Sequence, residues 1–227
     1  MTMGKSLSIK LFAIGSGLFA LFVFFSYLVH KKLFDRFDFD MTVKLQDNMS
    51  RRLDDAFSML SVLGRFEILV VVLIIILFWQ RKFIAGIFTF FLFGVFHLIE
   101  IFGKTFVNHK PPPEFMLRTK RLVEFPQFTV REDYSYPSGH SGRTFFISVL
   151  LLFFLWQQKR IPLEIKIIIT CCVSLFDILM IVSRVYLGEH WTSDIIGGSL
   201  LGIAFACISA AVYERNKKSA TTVKPTR

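Results

Sequence analysis

The chain has 227 residues, 53% of them hydrophobic, with 28 Phe, a formal net charge of +10 and a mean hydropathy of +0.55. Its apolar residues fall in unbroken runs long enough to span lipid, which excludes an ordinary soluble domain. The charge does not mark a nucleic-acid protein, because no basic groove element survives outside those runs. It fits basic loops beside anionic lipid, together with cations that bind phosphate.

Six apolar segments predict membrane spans, at about 7–29, 66–79, 83–103, 142–157, 165–187 and 195–213. The expected fold is an all-α bundle of six transmembrane helices, a single domain over 1–213 with a basic, disordered tail at 214–227. Lys5 and Lys10 precede the first run, but that run is longer than a signal core and no A-x-A site follows, so a retained helix is expected. The second and fourth segments are short for a full span. Between spans 1 and 2, residues 30–65 carry apolar residues at helical spacing and are expected to lie along the membrane surface. Residues 104–141 form the longest loop, rich in proline, and a loop of that length is usually functional. Cys171, Cys172 and Cys207 lie inside apolar runs and read as small hydrophobes.

Six spans put both termini on one side. The Lys and Arg of the short links favour a cytoplasmic side for them, with the opposite loops facing outward from a cell membrane.

Three polar clusters then emerge on one face: Lys104 at the end of span 3, Pro137-Ser138-Gly139-His140 before span 4, and Ser183-Arg184-x5-His190-x3-Asp194 around spans 5 and 6. Phosphoryl transfer needs a nucleophile, a group that orients it, cations for the phosphate oxygens and an acid for the leaving group. His190 can attack through one ring nitrogen while Asp194, four residues on, holds the other. Arg184 offers a planar fork for phosphate oxygens. Ser138 and the N–H groups near Gly139 sit at a helix start suited to anions. His140 can protonate a departing alkoxide, and Lys104 adds a point charge. The cations around these histidines point to an anion and not to a metal, and no cofactor is indicated.

These clusters resemble the type 2 phosphatidic acid phosphatase family, which shares its site with vanadium haloperoxidases. The resemblance covers roughly 104–200. It implies that His190 forms a phosphohistidine that water hydrolyses, with His140 as the acid and Asp194 orienting His190. It also implies that Lys104, Ser138, Gly139 and Arg184 bind phosphate. The family's first motif, Lys-x6-Arg-Pro, is broken: after six intervening residues Lys104 is followed by Pro111 and Pro112. Lys110, His109, Arg118 and Arg143 are the candidates to replace the missing Arg.

The reading that results is a metal-independent lipid phosphatase acting on a lipid phosphomonoester or diphosphate. Its substrate is of phosphatidate or phosphatidylglycerol-phosphate type, with undecaprenyl diphosphate as the alternative. A non-catalytic lipid-binding or transport protein is the rival of another class. Oligomeric state is not legible. Within the membrane, Glu100 is expected to pair with Lys104, Asp177 to have a structural partner, and His97 to pack with one hydrogen bond. The loop residues Phe115, Met116, Leu117, Phe125 and Phe128 are candidates to line the entry of a lipid chain.

Overall fold

The computed structural model describes residues 3–81, 83–119 and 134–222, with side chains from Ser6 and up to Arg215. Eight α-helices and no strand occur among them. Helix α1 (Met3–His30) is followed by α2 (Asp35–Asn48), α3 (Asp54–Leu63), α4 (Phe66–Gln80) and α5 (Phe83–Phe106). The long loop leads to α6 (Gly139–Gln157), and α7 (Leu163–Tyr186) and α8 (Thr192–Thr222) complete the chain.

Among the described residues, five helices are long and apolar enough to cross a membrane: α1, α5, α6, α7 and α8. Arg51–Leu63, which holds α3, and α4 pass the same test only as a pair, bent by 50°, and taken together they give a sixth candidate span. The reason is length. Helix α4 alone rises roughly 22 Å, short of a hydrocarbon layer of about 30 Å. The stretch expected to lie on the membrane surface therefore divides. Helix α2 is a separate polar helix, while α3 packs against α7 through Phe57 on Tyr186 and continues into α4.

The outer surface is apolar. Phe78, Phe83 and Ile168 stand well exposed, and in water such a face would aggregate. In lipid the surface exerts no hydrophobic pull between helices, so the helices hold together by close packing and by polar contacts. Helix α8 is central, packed against α1, α5 and α6. A Cβ on its Gly202 would collide with the Gly142 carbonyl of α6, so two glycines set that approach. Ser8 of α1 donates to the Ala211 carbonyl of α8 at 2.9 Å.

Helix α8 stays helical to Thr222, past the expected end of the span at 213. No glycine or proline lies between Gly202 and Pro225 to stop it. The three cysteines are unpaired.

Replacing Gly202 with Leu should force α6 and α8 apart and lower the detergent melting temperature by several degrees. Gly17→Ala, where a Cβ would meet no atom within 4 Å, should not lower it. Equal melting of G202L and the parent would show that this contact does not limit stability.

Candidate active site

The loop ends and helix ends that carry the three clusters are tied together by main-chain bonds. Ser135 N–H donates to the His109 carbonyl (2.9 Å), closing the long loop on itself. Ser138 N–H donates to the Asp194 carbonyl (3.0 Å), joining the start of α6 to the start of α8. At the end of α7 the chain must reverse sharply. Gly188 takes a positive φ of 70°, and the N–H groups of Glu189 and His190 both reach the Arg184 carbonyl, at 3.1 and 3.3 Å. A side chain at position 188 would be strained there.

A cavity of about 1010 Å³ opens between these segments. His140, His190, Arg184, Lys104 and Gly139 all line it, so most of the expected site residues converge on one space. Arg143 and Arg65 line it as well. Ser138 is buried and caps α6, its hydroxyl accepting from Ser141 N–H at 3.5 Å. Of the candidates for the missing first-motif cation, Arg143 alone lines the cavity. Lys110 does not, and its carbonyl accepts from the Trp191 indole (2.8 Å). Arg118 lies over the Tyr186 ring, 5.1 Å from its centroid.

Of the four carboxylates that line the cavity, Glu67, Glu100, Glu114 and Glu189, two hold its cations. Glu100 sits 3.7 Å from Lys104 Nζ and 3.2 Å from Arg143 Nη1. The expected Glu100–Lys104 pair is present, with Arg143 as an unforeseen third member. Arg184, only 1% exposed, pairs with Glu189 and donates to the Ser61 hydroxyl of α3. Donors remain over. Arg65 Nη1, Arg143 Nε and Arg184 Nε are buried without hydrogen-bond partners, and such groups are costly to leave unmade.

Asp194 is fully buried and both of its oxygens are engaged. Oδ1 accepts from His109 Nδ1 at 2.8 Å, and Oδ2 accepts from Trp191 N–H at 2.9 Å. His190 Nδ1 lies 3.4 Å from Oδ2, near but not aligned for a hydrogen bond. The best-aligned histidine partner of Asp194 is thus His109, which sequence reasoning offered only as a phosphate ligand. Behind it stands Asp38 of α2, 3.7 Å from His109 Nε2, with Asp35 at 4.0 Å. Asp38 accepts from both Ser193 N–H (2.8 Å) and Ser193 Oγ–H (2.6 Å). The sequence carried a weak signal for Asp38: an acid on a helix that faces inward at helical spacing with Thr42.

Burial disfavours the His109 imidazolium, but Asp194, Asp38 and Asp35 outweigh it and hold its pKa above the ordinary histidine value. Burial pushes His190 the other way; Arg184 and Lys104 add to that, against the pull of Asp194. Burial raises the Asp38 carboxyl, partly offset by its bonds from Ser193.

Among the described residues no group of three or more His, Cys, Asp or Glu is arranged to hold a metal ion. Asp177 accepts from Ser148 (2.7 Å), a structural partner. His97 bonds the Phe93 carbonyl (2.8 Å) and packs edge-on against Phe66, Phe93 and Phe96. Of the expected entry residues, Leu117 lines the cavity, Met116 is buried off it and Phe115 is exposed. Phe125 and Phe128 lie outside the described residues.

The sequence model of the PAP2 superfamily matches residues 83–218, which include all three clusters. The chain belongs to the PAP2 superfamily. Membership implies phosphoester hydrolase activity. Phosphatidylglycerophosphatase B of Bacillus subtilis is 24% identical over 169 residues, 73% of this chain and 78% of that protein. A crystal structure of a transmembrane PAP2-type phosphatidylglycerolphosphate phosphatase from Bacillus subtilis superimposes with a TM-score of 0.69 at 22% identity, covering 94% of this chain and 98% of that one. Aquifex aeolicus LpxE superimposes with a TM-score of 0.56 at 23% identity, over 76% of this chain and 94% of that one. The shared fold is that of a multi-pass integral membrane protein.

The His109 environment has a testable sign. A pKa raised on folding stabilises the protein fully below the unfolded value of about 6.5 and loses that effect as pH rises through the folded value. His109→Gln should therefore lower the melting temperature more at pH 6 than at pH 9. A loss that is equal or larger at pH 9 would refute the charged-histidine account.

Proposed function

We propose that this PAP2 protein is a lipid phosphatase of the phosphatidate or phosphatidylglycerol-phosphate type, working through a phosphohistidine. The observation that carries the reading is the composition of one cavity. Two histidines stand among four cations at its polar end, Arg65, Lys104, Arg143 and Arg184. The same cavity follows α5 past His97 and Gly94 to Phe93 and Phe90, roughly 20 Å by helical rise. A phosphate headgroup suits the first part and a hydrocarbon chain the second.

In the proposed reaction, His190 Nδ1 faces Asp194 and leaves Nε2 for attack on phosphorus. The new N–P bond forms as the bond from phosphorus to the lipid oxygen breaks. That oxygen keeps the electron pair and takes a proton from His140. Lys104, Arg143, Arg184 and the Gly139 N–H hold the non-bridging oxygens as charge builds. Water then attacks phosphorus and gives a proton to His140, releasing phosphate and free His190. Asp194, braced by His109 and the Trp191 N–H, holds the imidazole and stabilises its positive charge. Every group in this sequence is a side chain or N–H of the chain, and no step needs a metal. We also propose that the termini are cytoplasmic and that the site faces outward, on the strength of the short-link cations.

Phosphate release by the purified protein from phosphatidate, phosphatidylglycerol phosphate and undecaprenyl diphosphate, measured in EDTA, tests the reading. Release should persist in EDTA and fall about a thousandfold or more in His190→Ala. Undecaprenyl diphosphate as the best substrate would favour the alternative, and no release from a folded protein would favour the non-catalytic rival. The chain channel has its own test. Gly94→Leu projects into open space, since a Cβ there meets nothing within 4 Å. It should raise KM for long-chain phosphatidate severalfold and spare a short soluble phosphoester. Equal effects on both would sink the channel.

A further inference from the structure

The first motif of this chain lacks its arginine: Pro111 stands where the pattern has Arg. Yet Pro111 and Pro112 still line the cavity, so the loop backbone reaches the site without bringing a guanidinium there. Arg143 reaches the cavity, but Glu100 holds one of its nitrogens at 3.2 Å. Arg184 is committed to Ser61 and Glu189. Arg65 lines the same cavity, and its terminal Nη1 is buried with no hydrogen-bond partner, as are the inner Nε atoms of Arg143 and Arg184.

Local structure explains how a residue so far from the three clusters arrives there. Helix α3 ends at Gly64, whose N–H turns back to Ser61 and Val62 carbonyls. Arg65 is extended (φ −67°, ψ 149°) and serves as the N-cap position of α4. The 50° bend falls at this pair. The break is pressed against the site itself, because a Cβ on Gly64 would come within 2.8 Å of His140 Cδ2 and 3.0 Å of Met180 Cε. Ser61, one turn earlier, already holds Arg184. Arg65 is therefore delivered to the cavity that His140 and Arg184 also line. Guanidiniums gathered around one space, with donors left over, are stabilised by an anion that accepts from them together.

We propose that Arg65, from the break in the second span, is the phosphate-binding guanidinium that replaces the missing arginine of the first motif. The inference rests on the phosphatase reading, so its test separates binding from turnover. Orthovanadate, a phosphate mimic, is titrated into the full-length protein in detergent, and hydrolysis of phosphatidate is measured in parallel. Arg65→Gln should weaken orthovanadate binding about tenfold or more and raise KM for phosphatidate, with the melting temperature held. Arg65→Lys should fall between, because an ammonium keeps the charge but not the fork. Pro111→Arg in the R65Q background offers the guanidinium from the first-motif position, which also lines the cavity, and should recover part of the affinity.

Weaker binding by R65Q at an unchanged melting temperature supports the proposal, with or without that recovery. Unchanged binding in R65Q overturns it, as does a parent that binds no orthovanadate. Weakened binding that merely tracks a lowered melting temperature, with no recovery by Pro111→Arg, assigns Arg65 to the fold and overturns it too. Absence of hydrolysis in a parent that binds orthovanadate would instead count against the phosphatase reading and leave the binding result to stand on the variants.

Discussion

One buried carboxylate organises this molecule. Asp194 has no solvent exposure, and a lone anion in that position would be very costly. Its oxygens are met by His109 from the long loop and by the Trp191 N–H from the turn before α8. His190 lies alongside. The Asp194 carbonyl accepts from Ser138 N–H and anchors the start of α6. Three segments far apart in sequence, the long loop, the start of α6 and the turn into α8, thus meet at one residue. Next to it, Ser193 ties the same turn to Asp38 of α2. The helix ends are pinned by this polar node, because lipid supplies no hydrophobic force to do it.

The cations form the other half of that arrangement. Lys104, Arg143 and Arg184 are each held by a carboxylate, Glu100 or Glu189. Those acids keep the guanidiniums in place without satisfying all their N–H groups. Buried N–H donors are in this way left over beside the cavity, and the holding pairs keep the cations that carry them in place. Helix α2 acts at a distance: Gln46 donates to the Met116 and Tyr186 carbonyls at 2.7 and 2.9 Å, joining the loop to the end of α7. This polar helix thus braces loops that carry the candidate site.

The break between α3 and α4 shows how a short span can serve a site. An uninterrupted helix would carry Ser61 and Arg65 one turn apart along a single axis. Bending at Gly64 and Arg65 lets α3 lie over α7 while α4 descends beside the cavity. Helices α4 and α5 both line the apolar arm of the cavity, through Phe66 and Val70 on one and Phe90 and Phe93 on the other.

Much of this was legible from residue order. Runs of Leu, Ile and Phe dictate helices in lipid, because only internal hydrogen bonding satisfies a backbone there. The motif spacings put His140, His190, Arg184 and Lys104 on one face, since the span count alternates sides. The Glu100–Lys104 pair follows from a spacing of four. What the sequence could not disclose depends on contacts between segments that no periodicity records. His109 looked like a spare cation and proved to be the partner of Asp194, because only the closed loop brings them to 2.8 Å. Lys110 sat next to the motif in the chain yet stands off the cavity, while Arg65, outside every motif, lines it. Sequence determined which chemistry the chain carries and on which face it gathers. Tertiary structure decided which charges meet, because a bend at Gly64 and a turn at Gly188 set directions that no spacing encodes.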